Sequence, residues 1–213
     1  MLSYGRYEGL AIETHTVLSE EEARELLARY VPLDETWGAH SITVSRLAGR
    51  IADALAAAGM AVDPALARAG GLLHDIGRDV THDGIMHCWE GYQMLLALGQ
   101  PLLARFCVIH SSGGMDAEEA ASVAWPATDF RPHTWEEKAV TIADGLAHYD
   151  GVVLLADRCA SVRERYRERS NAARYTLILR TEDKIRALMA EVEAIIGQPV
   201  ELLCGAQPLA TQG

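Results

Sequence analysis

The stretch GGLLHDIGRD, residues 70–79, decides the fold of this chain. An apolar run with helical character ends here in two adjacent ionisable residues, His74 and Asp75. Each of these groups is costly to bury unless another group pairs with it. The sequence therefore predicts that partners for His74 and Asp75 lie inside the fold.

Helical signals dominate the sequence on either side of this stretch. Ser19 with Glu22, and Thr134 with Glu137, have the spacing of capping boxes that open helices. Between about residues 35 and 59, apolar residues recur at helical spacing at Val44, Leu47, Ile51 and Leu55. Alanine and leucine are frequent, and only 2 phenylalanines are present. These features predict an all-α fold.

The chain is expected to form one main domain with appendages. The predicted parts are an N-terminal arm (1–18), a helical domain (19–150), a C-terminal helical extension (151–198) and a flexible tail (199–213). In the extension we expect a basic helix within residues 157–170 and an amphipathic helix over 181–197 that Gly197 ends. The amphipathic helix could pack on its own domain or on a second copy, so a homo-oligomer is left open.

Composition and charge exclude several classes of protein. The 213 residues are 49% hydrophobic and 23% charged, and the formal net charge is -11. Such a field repels polyanions, so neither a polymeric nucleic acid nor an anionic membrane is expected as a partner. The 4 cysteines contain no C-x-x-C pair, which favours a reduced chain without disulfides. Together with the absence of a signal-peptide pattern, this predicts a cytoplasmic protein.

Six residues with metal-binding side chains fall on the apolar sides of predicted helices or at their ends. They are His40, His74, Asp75, His87, His110 and Asp144. Any one of them alone is more often a satisfied core histidine or a buried cap. Together they need a partner each, and a metal centre supplies those partners at once. Nitrogen and carboxylate ligands without thiolate suit Fe, Mn or Zn, and Mg suits an oxygen-rich position.

The order of these residues resembles a known signature. His40, then His74-Asp75, then Asp144 is similar to the H…HD…D pattern of the HD-domain metal-dependent phosphohydrolase superfamily, and HDIG at residues 74–77 is a named variant of its central motif. The stretches LLHDIGRDVTHDGIMHCWEGYQML, VIHSSGGMDAEEA and TWEEKAVTIADGL especially resemble a small, largely uncharacterised archaeal HDIG family. The resemblance covers roughly residues 36–150.

The resemblance implies a fold and a ligand set. The fold is an HD-domain helical bundle with about five core helices around a metal site. One metal would be held by His40, His74, Asp75 and Asp144. His87 and His110 match the extra histidines of two-metal members, with Asp75 bridging both ions. Two divalent transition metal ions are therefore expected, with Fe or Mn first and Zn or Mg as alternatives, although some members use one ion.

The resemblance also implies an activity. The expected enzyme is a metal-dependent phosphatase or phosphodiesterase, which hydrolyses a phosphoester bond of a nucleotide or related small phosphorylated metabolite with metal-activated hydroxide. The sequence contains neither a nucleophile elbow nor a P-loop. Two alternatives stay open. One is an HD-type di-iron oxygenase, and the other is a non-catalytic nucleotide-sensing HD domain, against which the full ligand set counts.

Three further roles can be assigned near the central motif. Asp75 is expected to be catalytic as the bridging ligand. His82 could protonate a leaving alkoxide or be an ordinary loop histidine. Arg78 follows HDIG, where many HD proteins carry Lys, and is the first choice for a substrate phosphate contact. The alternative for Arg78 is a surface ion pair with Asp79 or Asp83.

The remaining basic residues and histidines predict surface positions. Arginines alternate with glutamates at residues 163–169, which is typical of an exposed, salt-bridged helix. A substrate-clamping role for Arg158 or Arg163 is the weaker alternative. His15, His133 and His148 are expected at the surface rather than at the metal.

Overall fold

The computed structural model describes residues 17–148 and 151–209, and α-helices dominate them. The helices are α1 (Glu20–Ala28), α2 (Thr36–Ala57), α3 (Pro64–Leu73), α4 (Met86–Ala97), α5 (Pro101–Ile109), α6 (Ala117–Ser122), α7 (Trp135–Leu146), α8 (Leu155–Tyr166), α9 (Ala172–Ile196) and α10 (Val200–Cys204). Two short 3₁₀ helices span Ile76–Asp79 and Ser111–Gly113. Two antiparallel strands, β1 (Ala147–His148) and β2 (Gly151–Val152), have two residues each. The all-α prediction is confirmed.

Local capping fixes several of these helix boundaries. The predicted capping boxes of Ser19 and of Thr134 are both present, with the N-cap side chain and the third helical residue bonded reciprocally. Gly197 ends α9 in the left-handed conformation, with φ of 72°. Helix α9 begins well before the predicted residue 181, because the Asn171 side chain caps it by accepting a hydrogen bond from the Arg174 N–H.

Helix α3 lies at the centre of the bundle and packs against α1, α2, α5 and α7. Leu72 and Leu73 are fully buried. Gly71 lets α2 approach closely, since a Cβ there would lie 2.6 Å from the Ser45 Cα. The chain leaves α3 at His74 and turns at Asp75 into the first 3₁₀ helix. The HD pair is thus placed where several helices meet.

The C-terminal extension packs back onto the bundle. Helices α8 and α9 contact each other and α7. On α9, the Lys184 Nζ donates to the Gly114 carbonyl at 2.7 Å and pairs with Glu119. These contacts hold α8 and α9 beside the end of the bundle that carries the HD pair.

The predicted flexible tail is ordered over its described part. Val200 and Cys204 of α10 are buried, and the Gln207 N–H donates to the Val152 carbonyl at 3.0 Å. This burial is a tertiary effect, which explains why local composition missed it. Residues 210–213, and residues 1–16 of the predicted arm, lie outside the described residues. No helix among residues 17–148 and 151–209 is long and apolar enough to cross a membrane.

Candidate metal centre

Four of the predicted ligands converge where α2, α3 and α7 meet. The His40 Nε2 lies 3.0 Å from the Asp144 Oδ1 and 3.9 Å from the Asp75 Oδ2. The His74 Nε2 lies 3.7 Å and 3.8 Å from the same two oxygens. We call these four residues the first ligand group. Their separations are those of atoms that surround one small cation.

The other carboxylate oxygen of Asp75 faces a second set of side chains. The His87 Nε2 on α4 lies 2.8 Å from the Asp75 Oδ1, and the His110 Nε2 at the end of α5 lies 3.6 Å from it. We call this oxygen, His87 and His110 the second ligand group. The structure therefore brings all six predicted residues together, with Asp75 between the two groups.

Backbone carbonyls orient three of the histidines. Their Nδ1 atoms lie within hydrogen-bond distance of carbonyl oxygens: His74 of Gly71 at 2.8 Å, His87 of Asp83 at 2.7 Å and His110 of Phe106 at 2.9 Å. A carbonyl only accepts, so each Nδ1 donates, and in the neutral ring each Nε2 keeps its lone pair. That tautomer is the one in which Nε2 binds a metal.

The lone pairs make this cluster fit a cation. Within the described residues, the buried His74 Nε2 and Asp75 Oδ1 have no hydrogen-bond partner. In the assigned tautomer, the His87 Nε2 presents a lone pair to an anionic oxygen only 2.8 Å away. Such a contact is repulsive unless a metal ion lies against both atoms or the imidazole is protonated. The donor set therefore fits a divalent metal at each group.

Both carboxylates of the cluster are ionised. Burial would raise the pKa of Asp75, but the positive charge of Arg78 and the contacts with His74 and His87 outweigh it and hold this pKa well below its usual range. Burial acts in the same way on Asp144, where the hydrogen bond from His40 and the nearby His74 hold the pKa well below its usual range. Negative charge is thus available for metal binding.

Arg78 and His82 differ in their relation to this cluster. The Arg78 Nε donates to the Asp75 Oδ2 at 2.5 Å, so its partner is neither Asp79 nor Asp83. Arg78 also lines the cavity described below. His82 is exposed and does not line that cavity. The structure therefore brings Arg78 to the cluster and leaves the proposed proton donor away from it.

Cys88 is a cluster member that the sequence analysis missed. Its Sγ lies 3.3 Å from the His87 Nε2 and 3.5 Å from the His110 Nε2. The sequence pattern predicted a ligand set without sulfur. The available signal was adjacency to His87 at the start of a predicted helix, but which face of α4 meets α5 is not a local property.

A cavity of about 170 Å³ adjoins the cluster, and Asp75, His87, His110 and Asp144 line it. Ser111 and Ser112, which follow His110, line one side of it. Residues of α8, α9 and their connection also line the cavity, and we call the arginines among them, Arg158, Arg165, Arg169 and Arg174, the arginine wall. The C-terminal extension therefore completes the cavity beside the ligand groups.

The basic segment has two kinds of arginine. Arg163 pairs with Glu182, and Arg167 pairs with Glu164, as expected of a salt-bridged helix. Arg165 and Arg169 are exposed, line the cavity and have no ion pair within residues 17–148 and 151–209. The weaker candidate Arg158 lines the cavity and donates from its Nε to the Ala147 carbonyl, whereas Arg163 does not line it.

Of the three histidines expected at the surface, His133 is exposed. The prediction is wrong for His148, which is 5% exposed in β1, because residues 151–153 fold back against it. His15 lies outside the described residues.

Comparison with protein families assigns the part of the chain that carries these residues to a family. The family profile described as HD domain matches residues 37–161, which contain all six clustered residues. The chain belongs to the HD domain family. HD domains bind divalent metals and are generally metal-dependent hydrolases. The match extends through most of α8, so part of the arginine wall lies within the matched region.

Curated relatives share the domain over part of their length. An uncharacterized protein of Methanocaldococcus jannaschii is 44% identical over 108 residues, which are 50% of this chain and 63% of that protein. A tRNA (cytidine(56)-2'-O)-methyltransferase of Picrophilus torridus is 34% identical over 65% of this chain and 36% of its own length. Ribonuclease Y of Alkaliphilus metalliredigens is 37% identical over 51% of this chain and 19% of its own length. The chain thus spans less than two thirds of each of these relatives. No solved structure matches it significantly.

Proposed function

We propose that this HD domain protein is a metal-dependent phosphatase or phosphodiesterase that acts on a nucleotide or a related small phosphorylated metabolite. One observation carries the proposal. Four of the clustered residues, Asp75, His87, His110 and Asp144, line a cavity that is also lined by the arginine wall. A phosphate ester needs metal ions and guanidinium groups as partners. The lining of this cavity offers metal ligands for the first and arginines for the second.

The charge of the cavity supports an anionic substrate. The cavity is lined by Arg78, Arg158, Arg165, Arg169 and Arg174, against the three carboxylates Asp75, Asp83 and Asp144. Two divalent ions at the ligand groups would make it more positive still. The protein as a whole has a formal net charge of -11. A positive cavity in a negative protein selects a small anion over a polyanion, because a polyanion would also be repelled by the negative charge around the cavity.

The ligand groups and the arginines have different roles in the proposed reaction. Divalent ions held by the two ligand groups would lower the pKa of water and neutralise charge on the phosphate oxygens. Arg78 holds the charge and the orientation of Asp75 and stands beside the reacting phosphate. Arg165 and Arg169 lack ion-pair partners within the described residues, so their guanidinium groups are available to bind a more distant anionic part of the substrate.

A small substrate is proposed in preference to RNA. The tRNA methyltransferase and ribonuclease Y named above have RNA-directed names, but the chain spans only 36% and 19% of them. Their RNA specificity is therefore not carried over to this chain. The acidic net charge also opposes binding of a nucleic acid backbone.

The test is a hydrolysis screen with variants of the arginine wall. Protein loaded with Mn²⁺ or Fe²⁺ is assayed against p-nitrophenyl phosphate, its diester, 5′-nucleotides and 2′,3′-cyclic nucleotides. We expect phosphate or phosphomonoester release from at least one nucleotide. Arg165→Ala and Arg169→Ala should each lower kcat/KM for that nucleotide by about tenfold, since each removes a charged hydrogen bond.

Arg167→Ala is the matched control, because Arg167 lies between these two residues, pairs with Glu164 and does not line the cavity. Its kcat/KM should stay close to that of the wild type. Metal-loaded protein that hydrolyses none of these compounds, or an iron-loaded form that consumes oxygen without releasing phosphate, would contradict the proposal.

A further inference from the structure

The second ligand group has an unexplained neighbour in Cys88. This residue follows His87 on α4, is 1% exposed and lines the cavity. Its Sγ lies between the Nε2 atoms of His87 and His110, at 3.3 Å and 3.5 Å. The Nδ1 atoms of both histidines donate to backbone carbonyls, so both Nε2 atoms present lone pairs to the sulfur. A thiol has one proton and can satisfy only one of them.

The separations match those around a tetrahedral ion with a sulfur ligand. With metal–nitrogen bonds of about 2.0–2.1 Å and a metal–sulfur bond of about 2.3 Å, tetrahedral geometry places nitrogen and sulfur about 3.5 Å apart. The two nitrogen–sulfur distances here are 3.3 Å and 3.5 Å. The ligand atoms of His87, Cys88 and His110 all lie within 4.8 Å of one another, as around one small ion. The Asp75 Oδ1 lies beside the two imidazoles, at 2.8 Å and 3.6 Å from their Nε2 atoms.

We infer that the Cys88 thiolate is a ligand of the metal at the second ligand group. Metal binding there releases the thiol proton to solvent and forms a metal–sulfur bond. The two positions of the centre then differ in chemistry. The first ligand group offers nitrogen and oxygen, whereas the second adds a soft sulfur and favours Zn²⁺, Fe²⁺ or Co²⁺ over Mg²⁺ and Mn²⁺. This inference rests on the metal centre of the proposed function but not on the reaction.

Cobalt substitution tests the inference without an activity assay. The full chain, stripped of metal under reducing conditions, is titrated with Co²⁺ while its absorption spectrum is recorded. We expect an intense sulfur-to-cobalt charge-transfer band in the near ultraviolet. The band should be lost in Cys88→Ser, which keeps nearly the same shape.

Two other cysteines supply controls. Cys159 lines the same cavity, and Cys107 is buried nearby, where its Sγ donates to the Leu73 carbonyl at 3.4 Å. Burial raises the pKa of the Cys159 thiol to about 11, which disfavours a thiolate there. Cys159→Ser and Cys107→Ser should both keep the band. A band that survives in Cys88→Ser, or disappears only in Cys159→Ser, would overturn the assignment.

A second measurement needs no variant, which matters if Cys88→Ser does not fold. Zinc-edge X-ray absorption of the wild-type protein should show a sulfur shell at about 2.3 Å in addition to nitrogen and oxygen. Tight zinc uptake with only nitrogen and oxygen neighbours would overturn this inference and leave the proposed function intact. Failure to take up either zinc or cobalt would overturn both.

Discussion

A single carboxylate, Asp75, connects the two ligand groups, and its position follows from the backbone after α3. Its φ and ψ of -104° and 9° take the chain out of the helix, so its two oxygens face different sets of histidines. Asp75 is 2% exposed and ionised. A buried charge without full compensation costs several kcal/mol. Arg78 supplies part of that compensation, and metal ions on both oxygens would supply the rest.

Gly77 holds α4 against the central motif. A Cβ at this position would lie 2.0 Å from the His87 carbonyl oxygen and 2.4 Å from the Gly91 nitrogen. Both are backbone atoms, so α4 would have to move away and carry His87 with it. Gly77→Ala should therefore lower the free energy of unfolding by about 1–3 kcal/mol and weaken metal binding at the second ligand group. Urea unfolding and zinc calorimetry measure the two effects.

Val80→Ala serves as the control for Gly77→Ala, since Val80 follows the same 3₁₀ helix and is 37% exposed. It should change stability by less than about 0.5 kcal/mol. The interpretation of Gly77 fails if Gly77→Ala has the stability and the zinc affinity of the wild type.

At the scale of the element, helix α7 carries Asp144 near its C-terminal end and is held at its N-terminal end by Glu137. Glu137 completes the capping box with Thr134 and also accepts two hydrogen bonds from Arg105 on α5, at 2.8 Å and 3.3 Å. The His133 N–H donates to Glu137 at 2.8 Å. This junction ties the start of α7 to α5, and so relates Asp144 to His110.

The Glu137 junction predicts a pH dependence of stability. Burial would raise the pKa of Glu137, but hydrogen bonds from Arg105 and the His133 backbone outweigh it and lower the pKa below its unfolded value. The stabilisation is therefore present above about pH 4.3, the usual pKa of Glu, and is lost as the pH falls through the folded pKa. Glu137→Gln should lower the free energy of unfolding by about 1–3 kcal/mol at pH 7, and by less in acid.

Urea unfolding of both proteins at pH 7 and below pH 4 measures this difference, and titration of the metal centre affects both proteins alike. Glu191→Gln is the control, because Glu191 forms an exposed ion pair with Lys138. A Glu137→Gln difference that is the same at every pH would contradict the explanation.

Local signals in the sequence were enough for most helices and for selecting six residues that cluster in the structure. Ser19 and Thr134 predicted helix starts because capping is decided within one turn. The six candidate ligands could be selected because helical spacing puts polar side chains on apolar faces. Cys88 and the arginine wall could not be recognised from local signals, because their roles depend on contacts between α4 and α5 and between α8 and the bundle. The ordered tail depends on such long-range packing too.

At the scale of the whole molecule, we expect metal binding and folding to be linked. The histidines and carboxylates of the cluster lie on, or directly after, α2, α3, α4, α5 and α7, so ions at the centre would join most of the bundle. Each ion stabilises the folded state by roughly 2.7 kcal/mol when its free concentration is about 100 times its Kd. For two ions and a chain of this size we expect EDTA to lower Tm by about 10–20 °C, and added Zn²⁺ to restore it. Differential scanning calorimetry measures this shift.

Asp75→Asn provides the reference for the EDTA experiment, because without the bridging charge its Tm should respond little to the chelator. A wild-type Tm that EDTA does not change would show that the cluster folds without an ion and would count against a buried metal centre.

The measurement that tests the central claim most directly combines metal content with phosphate release on the same samples. Wild-type protein and Asp75→Asn are purified without oxygen, analysed for metals by mass spectrometry and assayed on the nucleotide that the screen identifies. The account predicts about two divalent ions per wild-type chain with turnover, and the loss of both in Asp75→Asn. An Asp75→Asn protein that keeps its metal and its phosphate release would contradict the account.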